Sequence, residues 1–212
     1  MNNHLLFTID HSSITNMTTR QKILKAIYPL FLFISKFKNK KAKMLSNEKN
    51  IQPKKPFHDL SVLLNTGDIL SLSSLKGKRV LLVNTASDCG YTPQYNDLEI
   101  LYEENKDKLV VIAFPANDFG EQEKANDAKI AQFCKENFGV TFPIAKKSTV
   151  IKSDEQNPVF RWLSNKAENG WNDQPPVWNF SKYLVDENGV LMNYFDPSVE
   201  PGGDEINKAL SR

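Results

Sequence analysis

Cysteine and histidine are scarce in this sequence, and their scarcity excludes several kinds of site. The 212 residues include two cysteines, Cys89 and Cys134, and three histidines, His4, His11 and His58. A zinc site of four Cys or His ligands would need nearly all of them, at spacings unlike those of metal motifs. Two cysteines also cannot build the disulfide framework of a small secreted scaffold. We therefore expect neither a bound metal ion nor a disulfide network.

Motifs for nucleotide cofactors are missing as well. The sequence contains no P-loop and no G-x-G-x-x-G motif after a predicted strand. His58 is the single histidine after residue 55, so a Cys–His or Ser–His–Asp hydrolase would depend on it alone. These absences predict a protein that works without a bound cofactor.

Charge is nearly balanced overall but divided between two unlike parts. The chain carries 27 Lys+Arg and 25 Asp+Glu, a net charge of +2. Residues 1–55 hold 11 basic and two acidic residues, whereas residues 56–212 hold 16 basic and 23 acidic residues. The overall balance argues against a nucleic-acid partner. The division predicts a basic N-terminal extension and linker, 1–55, followed by one acidic domain, 56–212.

The extension contains an apolar run that is too short to cross a membrane. Residues 26–34 are apolar without interruption and include Pro29, whereas a spanning helix needs about 20 apolar residues. Lysines follow the run, so an amphipathic segment over residues 20–43 on an anionic membrane surface is our first expectation. A disordered basic tail and an uncleaved signal-like anchor are the alternatives. Met17 is an alternative start.

Periodicity predicts a mixed α/β domain after a linker at residues 45–56. Residues 79–85 and 109–114 are apolar on both faces, which is typical of buried, often parallel strands. Further strands are expected at 60–64, 68–72, 180–186 and 190–195, and helices at 94–105, 127–137, 157–166 and 204–210. Asp127 is the expected N-cap of the second helix. A parallel centre with an antiparallel edge, flanked by helices, is the layout of a thioredoxin-like fold.

Cys89 occupies the position in this layout where chemistry is expected. It follows the carboxyl end of the first buried strand and precedes a helix, and reactive groups collect at that edge of an open α/β sheet. Amide groups at the N-terminus of the coming helix would favour its thiolate. Thr92 stands three residues later, so the segment is not a C-x-x-C dithiol. This pattern suggests peroxide reduction, the alternative being a buried, inert cysteine.

The segment around Cys89 resembles the active site of cysteine-type glutathione peroxidases, and three further segments match that family in order. The four segments are VNTASDCGYTPQY at 83–95, FPANDFGEQE at 114–123, FCKENFGVTFP at 133–143 and WNFSKYLVD at 178–186. The resemblance covers residues 56–211 and leaves the extension unexplained. It implies a catalytic set of Cys89, Gln122, Trp178 and Asn179. Neutral amide and indole donors of this kind suit a site that holds a thiolate and then a departing oxygen.

The resemblance also implies how the enzyme is recycled. Cys134 lies in the segment that carries the resolving cysteine of thioredoxin-dependent members, where it would attack the sulfenic acid of Cys89. The alternative is a small apolar helix residue. A disulfide needs Cα atoms within about 7 Å, so we expect partial unwinding of the helix around residues 128–137. The long insertion of tetrameric animal members is missing, which implies a monomer.

Three positions deserve comment beside the motifs. Ala116 replaces a cysteine found in many members, so no third thiol is present. Asp118 replaces the family's Gln and adds a charge near the site, while Gln122 keeps the catalytic position. Trp171 lies in a loop beside the site, and we expect it to pack rather than to contact a substrate.

These observations together predict a thiol peroxidase that reduces hydrogen peroxide and organic or lipid hydroperoxides. Thioredoxin is the expected reductant and glutathione the less favoured one, because no basic cluster is evident for its carboxylates. A peroxide sensor that passes a disulfide to a partner protein, or a thiol-disulfide oxidoreductase, is the alternative. The expected location is the cytoplasm, with peripheral contact at the inner membrane surface, or export with an uncleaved N-terminal anchor.

Overall fold

A mixed β-sheet organises this computed structural model, which describes residues 17–37 and 44–211. The strands are β1 (Met44–Ser46), β2 (Ser61–Leu63), β3 (Ile69–Ser71), β4 (Arg79–Thr85), β5 (Leu109–Pro115), β6 (Lys182–Val185) and β7 (Leu191–Phe195). Five of them form one sheet in the order β1-β7-β6-β4-β5, and β2 and β3 form a separate hairpin. Only β4 and β5 are parallel to each other, and the other pairs of the large sheet are antiparallel. The mixed sheet flanked by helices confirms the predicted fold class, but the predicted parallel centre is wrong, because the parallel pair lies at one end of the sheet with β5 as the edge strand.

The helices cover both faces of this sheet. They are α1 (Thr19–Phe37), α2 (Gln94–Asn105), α3 (Asp127–Phe138), α4 (Pro158–Leu163), α5 (Lys166–Asn169) and α6 (Asp204–Leu210). Alternate residues of each strand point to opposite faces. Leu81 and Val83 of β4 therefore join the cluster under α2, α3 and α6. Val80 and Leu82 join a second cluster with α4 and the β2–β3 hairpin. Both cysteines belong to the first cluster, so the chemistry of the chain is concentrated on one face.

Several predicted boundaries differ from those observed. α3 is capped by Asn126, whose side chain accepts a hydrogen bond from the Lys129 amide, and not by Asp127. Asp127 is the first helical residue, and its carboxylate accepts a hydrogen bond from the Lys147 amide. The helix expected at 157–166 is two helices, because the chain leaves helical geometry at Ser164 before α5 begins. The strand expected at 180–186 is confined to Lys182–Val185.

The segment expected to be a linker contributes an edge strand. β1 pairs with β7 in antiparallel register, with Met44 opposite Phe195 and Ser46 opposite Asn193. β1 ends before Asn47, whose side-chain amide donates to the Leu191 and Ile51 carbonyls and so fixes the end of the strand to β7. The sheet thus begins before residue 56. No alternating pattern of useful length announces a three-residue strand, so it was not predicted.

The N-terminal extension contains a long helix that packs on the domain. α1 begins with a capping box, in which the Thr18 amide donates to Gln21 Oε1 and the Gln21 amide donates to Thr18 Oγ1. Met17 and Tyr28 are buried, so the disordered-tail alternative is wrong for residues 19–37. Within the described residues, no helix is both long and apolar enough to cross a membrane. Residues 38–43, part of the predicted membrane-contact segment, lie outside the described residues, as do 1–16 and 212.

Candidate active site

Cys89 lies in a tight turn immediately after β4. The Cys89 amide donates to Thr92 Oγ1 at 3.0 Å, and the Thr92 hydroxyl donates to the Ala86 carbonyl at 2.8 Å. One hydroxyl therefore satisfies two backbone groups that the sharp turn would otherwise leave unpaired. Thr92, interpreted from the sequence only as the absence of a second thiol, holds the turn that presents Cys89. In the sequence, the position of Thr92 three residues after Cys89 was the one signal that could have indicated this role.

Several hydrogen-bond donors converge on the Cys89 sulfur. The Tyr91 amide donates to Sγ at 3.4 Å, and the side chains of Asn179 and Trp178 are near enough to the sulfur to lower the pKa of the thiol as hydrogen-bond donors. The backbone donor thus comes from the turn before α2, and not from the first turn of that helix as predicted. Burial raises the pKa of the Cys89 thiol, and these three donors oppose that rise because they favour the thiolate.

Gln122 completes the predicted set of four. Asn179 Nδ2 donates to Gln122 Oε1 at 2.9 Å, which joins the loop after β5 to the loop before β6. Trp178, which is 39% exposed, lies over Gly120 and beside the Phe119 ring. The structure therefore brings together the four residues that the sequence motifs singled out, from three separate segments of the chain.

Left-handed backbone conformations flank both amide donors of the site. Glu121, just before Gln122, has a φ of 52°, and Phe180, just after Asn179, has a φ of 67°. Such values are uncommon for residues other than glycine and are unfavourable for a bulky residue such as Phe. Phe180 is held in this conformation by the hydrogen bond that its amide donates to the Asn84 carbonyl, and by the packing of its ring against Tyr95. This strain is concentrated where the side-chain direction matters most.

Glu123 binds the backbone of the turn that carries Cys89, a role that the sequence did not predict. This residue is 1% exposed, and its Oε2 accepts bonds from the Ser87 amide at 2.8 Å and the Ser87 hydroxyl at 2.7 Å. Burial raises the pKa of Glu123 to about 7, while the two bonds from Ser87 lower it. An acid directly after the proposed catalytic Gln122 was the only signal in the sequence.

Cys134 is buried within α3, and both cysteines are free thiols. Burial raises the pKa of Cys134 to about 12, which keeps the thiol protonated and unreactive while α3 is intact. Its carbonyl accepts bonds from the Gly139 and Val140 amides at the end of the helix. Cys134 therefore lies in the last turns of α3, close to the point where the helix ends.

The remaining positions singled out by the sequence lie outside the cluster of donors. Asp118 Oδ2 accepts a bond from the Val150 amide at 2.6 Å, so its charge is held by the backbone of a neighbouring loop. Ala116 is buried in the core. Trp171 donates to the Leu191 carbonyl at 2.7 Å and packs on the second cluster, which confirms the packing prediction. His58 lies against Gly189, at the opposite end of β4 from Cys89, so the two form no Cys–His pair.

In the part of the chain that the structure describes, no group of three or more His, Cys, Asp or Glu residues is arranged to hold a metal ion. The groups that favour the Cys89 thiolate are neutral donors. Such a set can stabilise a thiolate and an oxygen anion.

Comparison with known proteins identifies the family. The glutathione peroxidase family model matches residues 57–164. A glutathione peroxidase homologue, BsaA, from Staphylococcus epidermidis is 43% identical over 156 residues, covering 72% of this chain and 98% of the relative. The glutathione peroxidase-like peroxiredoxin GPX5 of Chlamydomonas reinhardtii is 43% identical over 158 residues, covering 73% and 96%.

Comparison with solved structures identifies the fold. The crystal structure of Trgpx in its apo form is 33% identical with a TM-score of 0.57, covering 75% of this chain and 97% of that one. The GPX1 structure from T. cruzi is 28% identical with a TM-score of 0.58, covering 74% and 95%. A DsbF homologue from Corynebacterium diphtheriae, at 19% identity and a TM-score of 0.57, shares the fold alone. The fold is thioredoxin-like, as predicted, and the chain belongs to the glutathione peroxidase family of peroxidases, which are oxidoreductases.

Proposed function

We propose that Cys89 is the peroxidatic thiol and that Gln122, Trp178 and Asn179 assist it. The carrying observation is the convergence of the Asn179 and Trp178 side chains and the Tyr91 amide on one sulfur. The Cys89 thiolate attacks the terminal oxygen of a hydroperoxide, an S–O bond forms, and the O–O bond breaks. The sulfur becomes a sulfenic acid, and the departing alkoxide or hydroxide takes up a proton.

The three side chains have complementary parts in this step. Asn179 and Trp178 hold negative charge on the sulfur before the attack. Gln122 accepts from Asn179 through its oxygen, so its own NH₂ group remains available as a donor to the departing oxygen. The substrates that suit this set are hydrogen peroxide and organic or lipid hydroperoxides, since the reaction requires only the O–O bond.

Cys134 resolves the sulfenic acid in this proposal, and thioredoxin then reduces the Cys89–Cys134 disulfide. Two observations support it: Cys134 is the only other thiol in the sequence, and it lies near the end of α3 in the same core cluster as Cys89. Relatives named glutathione peroxidase-like peroxiredoxins, at 42–43% identity, agree with a thiol-based cycle. Because Cys134 is fully buried, the last turns of α3 must unwind before the two sulfurs can meet.

Mass spectrometry of the thiols after one equivalent of hydrogen peroxide tests both assignments. The parent chain is expected to form a Cys89–Cys134 disulfide, and Cys134→Ser is expected to accumulate sulfenic acid at Cys89. Cys89→Ser is expected to consume peroxide only at the uncatalysed rate. Peroxide consumption by Cys89→Ser at the parent rate would refute the role of Cys89. An unmodified Cys134 throughout would refute resolution and leave glutathione as the reductant.

A second proposal concerns location: residues 20–43 contact an anionic membrane surface. As predicted from the missing insertion, the protein is proposed to act there as a monomer. Ile23, Ile27 and Leu30 are exposed and lie on one face of α1, at the spacing of successive helical turns. The extension that carries them holds 11 basic residues. Sedimentation with vesicles is the test, and Ile23→Gln with Ile27→Gln is expected to abolish binding to phosphatidylserine-containing vesicles. Equal binding by parent and variant would contradict the proposal.

A further inference from the structure

α1 lies directly over the peroxidatic thiol, a feature outside the segment that matches the family. Met17, Leu24 and Lys25 line a narrow pocket whose opposite wall includes Cys89 and Phe138. Met17 is buried in the same cluster as Cys89, and Cys89 is only 1% exposed. The helix thus covers the group that must meet the substrate.

One set of α1 contacts is with the turn that carries Cys89. Gln21 Nε2 donates to the Ser87 carbonyl at 3.0 Å, while the oxygen of the same side chain takes part in the capping box. Arg20 forms an ion pair with Asp88 at 2.9 Å. The first turn of α1 is therefore fixed to the two residues just before the thiol.

The other set of contacts is with the end of α3, the helix that carries Cys134. Lys25 Nζ donates to the Asn137 carbonyl at 3.3 Å and lies 4.9 Å from the centre of the Phe138 ring. Phe138 is the last residue of α3. α1 consequently ties the Cys89 turn to the helical segment that must unwind for Cys134 to resolve.

We propose that α1 is a strap that holds the reduced enzyme closed, and that it must undock before Cys134 can reach Cys89. This inference rests on the proposed two-cysteine cycle. In the step concerned, Cys134 sulfur attacks Cys89 sulfenic sulfur, an S–S bond forms and the S–O bond breaks. The hydroxide that leaves combines with the proton of the Cys134 thiol to give water, so no further oxidant is needed.

The contacts that hold the strap are of a kind that can open reversibly. The Arg20–Asp88 pair is partly solvated, and such pairs contribute little to stability. The side of α1 that points away from the domain carries exposed Ile23, Ile27 and Leu30, so residues 19–28 of the helix bury only one face. A helix attached through one narrow face and a few polar contacts belongs to the least stable part of a fold.

Substitutions on the two faces of α1 in the full-length chain give a matched test. Leu24→Gln with Tyr28→Gln weakens the docked face, and Ala26→Gln alters the exposed face with the same kind of replacement and no change of charge. Each protein receives excess hydrogen peroxide, and loss of the Cys89 thiol and formation of the disulfide are followed in the same quenched samples. This separates oxidation from resolution.

The docked-face variant is expected to convert sulfenic acid to disulfide at least fivefold faster than the parent, with the exposed-face variant unchanged. Lys25→Gln, which removes only the contacts to α3, is expected to change the rate in the same direction and provides a second variant should the first fold poorly. Equal resolution rates in the parent and the docked-face variants, or equal acceleration by the exposed-face variant, would overturn the strap. If Cys89 is oxidised but no disulfide forms in any protein, the proposed cycle itself has failed.

Discussion

Asn179 donates a 2.9 Å hydrogen bond to Gln122, and this bond joins two loops separated by 57 positions in sequence. It fixes the rotamers of both amides beside the Cys89 sulfur. Each amide is also next to a residue in the left-handed region, so backbone strain and a side-chain bond act together to direct the two donors.

Removal of either amide should slow the attack on peroxide. Asn179→Ala and Gln122→Ala are each expected to lower kcat/KM for hydrogen peroxide by about 10²–10³-fold, the usual cost of one preorganised donor. The double variant should lose less than the product of the two effects, because the residues share one bond. Stopped-flow peroxide reduction measures this, with Asn207→Ala in α6 as the control. If the loss of kcat/KM in the double variant equals the product of the two single losses, the two residues do not act as a coupled pair.

The indole nitrogens of two tryptophans should have different functions. Trp178→Phe keeps the ring contact with Phe119 but removes the donor to Cys89, and a fall in kcat/KM of roughly 10-fold to 100-fold is expected for a bond to a charged group. Trp171→Phe removes the bond to the Leu191 carbonyl and should cost about 1 kcal/mol of unfolding free energy with little change in kcat/KM. Activity assays and urea unfolding of both variants distinguish the roles. A similar loss of activity in both would show a structural effect.

The reactivity of Cys89 should rise with pH. Burial raises its pKa, so the reactive thiolate is the minor form at neutral pH, and its fraction grows about tenfold per pH unit below the pKa. Alkylation of Cys89 by iodoacetamide, followed by mass spectrometry, should show a midpoint above the ordinary value of about 8.5. Asn179→Ala should move the midpoint higher, because it removes a donor that favours the thiolate. A midpoint near pH 6 would contradict this assignment.

Glu123 should make the fold less stable as pH rises. Its pKa is about 7 in the folded chain and near its ordinary value of 4.5 when unfolded, so the folded state binds more protons between these values. Stability is then highest below pH 4.5, as far as this group is concerned, and is lost as pH rises to about 7. The loss amounts to about 3 kcal/mol.

Glu123→Gln checks this dependence because Gln keeps an oxygen acceptor for Ser87 and carries no charge. Urea unfolding at pH 5, 7 and 8 should show a flatter pH profile than the parent, with the variant more stable at pH 8. An identical pH slope in the two proteins would mean that Glu123 is ionised at low cost within the fold.

The local elements followed from the order of the amino acids. The apolar runs at 79–85 and 109–114 and the periodic helix at 94–105 depend on patterns of a few residues, which burial on one or both faces reinforces. The four members of the candidate site were likewise identified from short motifs, and the fold brings them together.

Long-range pairing and burial were decided by the tertiary structure. β1 forms because β7 offers an unpaired edge about 150 residues away in sequence, and a three-residue segment has no pattern strong enough to predict this pairing. Glu123 and Thr92 acquired their roles only when the turn around Cys89 placed unpaired backbone groups beside them. The same is true of α1: its composition indicated an amphipathic helix, but only the packed domain determined that one of its faces would lie over Cys89 and the end of α3. Contacts of this kind depend on surfaces built from distant segments, so no window along the chain contains them.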